Sequence, residues 1–100
     1  MNIDMIEIME NEIKFTIFPK KLQVLIHNKY YPIKEEKIKE LIRITRTWDN
    51  KYTDSGYLDG NRFEISIHCD GEVNRKCGIR GVPNNYQEFD DWVRSIYDRG

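Results

Sequence analysis

The chain has 100 residues, with 16 Lys plus Arg against 17 Asp plus Glu, a formal net charge of −1, and 39% apolar and 12% aromatic content. Six Tyr, four Phe and two Trp supply enough large apolar surface for one folded domain over residues 1–100, which excludes a disordered chain and a chain with several cores. No apolar run nears the roughly 20 residues that cross a bilayer. The start Met1-Asn2-Ile3-Asp4 has no basic or apolar leader region, so a cytoplasmic protein without a membrane partner is expected.

From Ile3 to Ile8 and from Glu12 to Phe18 the chain alternates, with Ile13, Phe15 and Ile17 set against Glu12, Lys14 and Thr16. A period of two with β-branched and aromatic residues predicts two strands with one buried face each, joined by a hairpin turn at Glu10-Asn11. Pro19-Lys20 interrupts, because proline donates no ladder hydrogen bond, and Leu22, Val24 and Ile26 then alternate as a third strand.

After Asn28 to Pro32 the period changes. Ile38, Leu41, Ile42, Thr45 and Trp48 recur at spacings of three and four, which predicts a helix opening at Pro32 or Ile33, with Glu35 and Glu36 in its first turn and Arg43 and Arg46 near its carbonyl end. Residues 49–61 are polar and glycine-bearing and read as a long loop. Phe63, Ile65 and Ile67 alternate as a fourth strand, Asp70-Gly71 is a strong turn pair, and Val73 to Ile79 returns as a fifth. Asn85 followed by Glu88 resembles a capping box, and Tyr86, Phe89, Trp92, Val93, Ile96 and Tyr97 form the stripe of a final helix. The order β-β-β-α-β-β-α implies a two-layer α+β domain, with an antiparallel sheet of about five strands carrying both helices on one face.

No glycine-rich phosphate loop, G-x-S-x-G elbow, H-E-x-x-H or CxxC is present, so no catalytic, cofactor or zinc signature stands out. The best metal candidate joins His68 and Cys69 to Cys77, but adjacent strand residues point to opposite faces, and no metal is expected. Cys69 and Cys77 read as thiols in a reducing compartment. Whether they could ever be bridged depends on the hairpin register.

Charge is unevenly spread. Residues 14–46 hold nine basic side chains against three glutamates, a balance of +6, whereas residues 49–72 carry −4. The basic stretch, with Tyr30 and Tyr31, has the composition of a nucleic-acid surface, but an overall charge of −1 gives no long-range pull on DNA or RNA, and no nucleic-acid partner is expected. Pairs such as Glu35 with Lys39 and Glu40 with Arg43 read more simply as a solvated helix face. In the acidic stretch, Asp49, Tyr52, Asp54, Tyr57 and Asp59 read equally as a solvated loop or as tyrosine anchors among groups that steer a basic partner.

From Trp48 onward the chain carries Tyr52, Asp59-Gly60 leading into Phe63-Glu64-Ile65-Ser66-Ile67, Gly71 in a turn, Gly81-Val82-Pro83, and a last helix around Tyr86, Phe89 and Trp92. This stretch resembles small immunity proteins of bacterial contact-dependent inhibition and related polymorphic toxin systems. The resemblance implies a cytoplasmic, non-catalytic protein that binds one cognate toxin domain, often a nuclease, and blocks its active site or substrate surface. No catalytic residues or cofactor are then expected. A toxin with a basic surface would meet the acidic region, chiefly Asp54, Tyr57, Asp59, Asp70 and Glu72. The alternative is a small nucleic-acid-binding protein or ribonuclease-like enzyme using His27, His68 and the basic 14–46 stretch.

Overall fold

The structure is a computed structural model and describes residues 2–53, 62–79 and 83–98. Asp54, Tyr57 and Asp59 lie outside the described residues. Among the described residues seven strands and two α-helices follow in the order β1 (Ile3–Glu10), β2 (Ile13–Phe18), β3 (Gln23–Ile26), β4 (Lys29–Pro32), α1 (Glu35–Thr45), β5 (Lys51–Thr53), β6 (Arg62–Cys69), β7 (Glu72–Ile79) and α2 (Tyr86–Tyr97). The class is the expected α+β, but one sheet holds seven strands in the order β4-β3-β2-β1-β6-β7-β5. The sheet is mixed, because β5 runs parallel to β7.

Two strands escaped the sequence reading for physical reasons. His27 and Asn28 both take left-handed backbone angles (φ 49° and 65°), a tight turn that reverses the chain and lays β4 on β3. Pro32 is tolerated there because β4 is an edge strand. β5 is three residues of the stretch read as loop, too short to show alternation.

The β1–β2 turn falls at Asn11-Glu12, one residue later than expected, so Glu10 belongs to β1. Helix α1 begins at Glu35 and ends at Thr45, leaving Trp48 beyond it, buried. The ion pair between Lys39 and Glu35 forms at 3.5 Å, whereas Arg43 reaches across to Glu88 of α2 at 3.6 Å and not to Glu40. All are exposed pairs that contribute little to stability.

The register puts Ile6, Ile8, Phe15, Ile17, Val24, Ile26, Phe63 and Ile65 on one face, all buried. Both helices cover that face. Ile38, Leu41 and Ile44 of α1 and Phe89, Trp92, Val93 and Ile96 of α2 complete the core, as their spacing predicts. Trp48 sits edge-on to Phe63 and Phe89, with ring centroids 5.2 and 5.1 Å away. Among the described residues no helix is long and apolar enough to cross a membrane.

Candidate interaction site

The turn between β6 and β7 is built as Asp70-Gly71 dictates. Both take positive φ (52° and 82°), the geometry that lets a tight turn follow the twist of its strands. Cys69 and Glu72 close the ladder beneath it, and Asp70 and Glu72 stand exposed at the tip. Asp4 lies beside them. Its carboxylate takes a hydrogen bond and an ion pair from Lys20 at 2.7 Å, and this contact, more than a weaker hydrogen bond from the Asp70 backbone, holds its pKa below the usual value. Burial pushes the Cys69 thiol up, and the negative charges of Asp70, Asp4 and Glu72 push it further. One sulfur therefore feels three carboxylates.

Below the tip runs an open groove of about 980 Å³. Ile3, Ile42 and Ile67 face it from β1, α1 and β6, each half-buried against the core, while Asp70 and Glu72 stand along it and Cys69, Val73 and Asn74 of the same hairpin, with Asn50, share its lining. An aliphatic floor with an acidic rim suits a partner side chain with an apolar stem and a cationic head. Of the five expected contact residues, this groove gathers Asp70 and Glu72. The isoleucines were missed because they come from three elements far apart in the chain and each reads as core in its own segment.

Tyr52 is corrected from an exposed loop residue to a half-buried member of β5, its ring 6.2 Å from Phe63 and its hydroxyl accepting a hydrogen bond from the Asp49 backbone N–H at 2.7 Å. Asn85 precedes α2 as expected, yet its side chain makes no cap. The Asn85 amide oxygen accepts from the Trp48 indole at 2.7 Å and its NH₂ donates to the Ile44 carbonyl at 2.9 Å.

The two histidines do not share a cleft. His27 touches the Tyr97 hydroxyl at 2.8 Å, whereas His68 contacts Glu7 at 2.7 Å on the sheet face away from the helices. Three strand spacings and about four residues of strand separate them, roughly 20 Å. On that same face Arg75 pairs with Glu64 at 2.9 Å and reaches Ser66 at 3.4 Å.

Among the described residues no three His, Cys, Asp or Glu side chains gather as a metal site. Cys69 and Cys77 are free thiols. Cys77 stands opposite Glu64, five residues along β6 from Cys69, so about 16 Å divides the two sulfur-bearing positions, too far for a bridge in this register. No known family model matches this chain, and no curated protein or solved structure matches it.

Proposed function

We propose that this chain is a cytoplasmic immunity protein that binds a cognate toxin domain with a basic surface, such as a nuclease, and neutralises it by covering its active site or substrate surface, with no catalysis of its own. The observation that carries the reading is the groove under the β6–β7 turn, with Asp70 and Glu72 along an isoleucine floor. A nuclease must present positive charge to phosphate, so an acidic rim gives an inhibitor both complementarity and a fast encounter. Asp54, Tyr57 and Asp59 extend the same acidic stretch in the sequence. The separation of His27 from His68 takes away the geometric support for a two-histidine enzyme.

Co-expression with the product of the neighbouring gene tests the proposal. The expected result is a stable, stoichiometric complex and loss of toxicity. In surface-plasmon kinetics, Asp70→Lys with Glu72→Lys should slow association strongly at low salt and less at high salt, because steering is screened beyond roughly 8 to 10 Å. Wild-type binding by these variants, with binding abolished by changes in the 14–46 stretch, would place the interface on the basic surface instead.

A further inference from the structure

The helices leave the second face of the sheet bare, and its outer third has a different chemistry from the groove. Register aligns Phe18, Gln23 and Pro32 in one row across β2, β3 and β4, and Thr16, Leu25 and Tyr30 in the next. Phe18 and Tyr30 meet there with ring centroids 6.2 Å apart. Tyr30 is 59% exposed, and Leu22 at the adjoining turn is 43% exposed. A sheet face that only needed solvation would carry polar side chains at these positions.

Within residues 13–34 the charge has one sign, and Glu7 of β1, opposite Thr16, sets a carboxylate on the bare face at the inner border of this surface. Residues 13–34 contain Lys14, Lys20, Lys21, Lys29 and Lys34 and no Asp or Glu. Lys14 stands opposite Met9 on the bare face, Lys20 and Lys21 lie in the short turn of 3₁₀ helix after β2, Lys34 follows β4, and Lys29, the first residue of β4, pairs with Ile26 and so belongs to the helix side of that edge strand. Lys20 is tied to Asp4, but among the described residues no ion pair engages Lys14, Lys21, Lys29 or Lys34. The net charge of −1 argues against a nucleic-acid partner only for a chain whose charge is evenly spread, and in this fold Glu64, Asp70 and Glu72 lie on β6, β7 and the turn between them, two or more strands away from β2.

We propose that the bare face of β2, β3 and β4 binds single-stranded nucleic acid, with bases stacked on Tyr30 and Phe18 and phosphates held by the lysines around them. An exposed tyrosine beside a half-buried phenylalanine on an open antiparallel sheet offers a surface to an unpaired base, and lysine, a point charge on a flexible stem, neutralises a backbone without demanding a sequence. A duplex hides its base faces and would find only the lysines. An acidic protein segment would likewise use the charge and have no need of the ring pair. This site is separate from the acidic groove and does not depend on the toxin reading.

The test is fluorescence anisotropy of a labelled single-stranded oligonucleotide of about ten nucleotides with the full chain at low salt. Binding is expected, with a slope of log affinity against log salt of about −2 if three lysines displace counterions. Tyr30→Ala, at an exposed position that leaves the fold intact by circular dichroism, should weaken binding about tenfold. Lys14→Glu with Lys21→Glu should weaken it across all base compositions and flatten the slope. No binding at low salt would overturn the proposal. So would binding that ignores Tyr30→Ala and is displaced equally well by a polyglutamate peptide, since the surface would then read charge and not bases.

Discussion

Glu10 is the side chain whose surroundings depart most from its chemistry. It is 1% exposed, on the helix-facing side of β1, and its carboxyl accepts a hydrogen bond from the Tyr86 hydroxyl at 2.5 Å. Burial drives its pKa up from 4.5 to about 7; the Tyr86 hydrogen bond opposes the rise, Asp90 of α2 adds to it, and Arg94, paired with Asp90 at 3.1 Å, opposes it weakly. The native state therefore holds a proton that the unfolded chain releases between pH 4.5 and about 7. More protons bound to the native state means that unfolding free energy falls as pH rises through this window and levels off above it. The full effect is about 3 kcal/mol at most. Glu10→Gln keeps an acceptor for Tyr86 and an N–H for Asp90 without an ionisable group, so urea denaturation across this range should show a flatter profile and a variant more stable than wild type above neutrality. An unchanged slope would mean that another group titrates. The in-phase series Ile6, Ile8, Glu10 already pointed this carboxyl inward, but a glutamate beside an asparagine has the composition of a turn, and only pairing with Ile13 and Phe63 places it in the strand.

Among the elements, α2 was the most legible. Its stripe of Tyr86, Phe89, Trp92, Val93 and Ile96 is buried throughout, because a helix face is a local periodicity that the sequence carries whole. Trp92 is 2% exposed, donates its indole N–H to the Lys37 carbonyl at 2.8 Å, and lies 6.3 Å from the Phe15 ring, so it ties α1, α2 and β2 together. Trp92→Ala should cost about 3 to 5 kcal/mol in chemical denaturation. A loss under about 1 kcal/mol would show that the ring is dispensable to the core. What was not legible is how α2 starts. Asn85 has the right identity for a cap, but its partners Trp48 and Ile44 are 37 and 41 residues away, and no local pattern announces them. β4 and β5 failed for the same reason, since short strands are defined by their neighbours more than by their own residues.

At the scale of the molecule, the candidate site divides in the same way. Asp70-Gly71 fixed the turn and its acidic tip from sequence, while the groove floor needed Ile3, Ile42 and Ile67 to meet from three elements. The free, separated thiols and the lack of a ligand cluster among the described residues set another expectation: the thermal midpoint should not move with a chelator or a reductant. A clear drop with either, followed by differential scanning fluorimetry, would reveal a metal or a crosslink between chains. The place of β1 in the sheet has a further consequence. It lies at the centre, pairing with β2 close by and with β6 through contacts such as Ile8 with Ile65. During synthesis the first four strands can form a meander while β6 is still unmade, and β1 then presents an open edge beside an uncovered row of isoleucines. Such an edge accepts strands from other chains as readily as its own. β6 therefore closes the edge that β1 would otherwise present, so a chain cut before residue 62 is expected to aggregate, as light scattering would show.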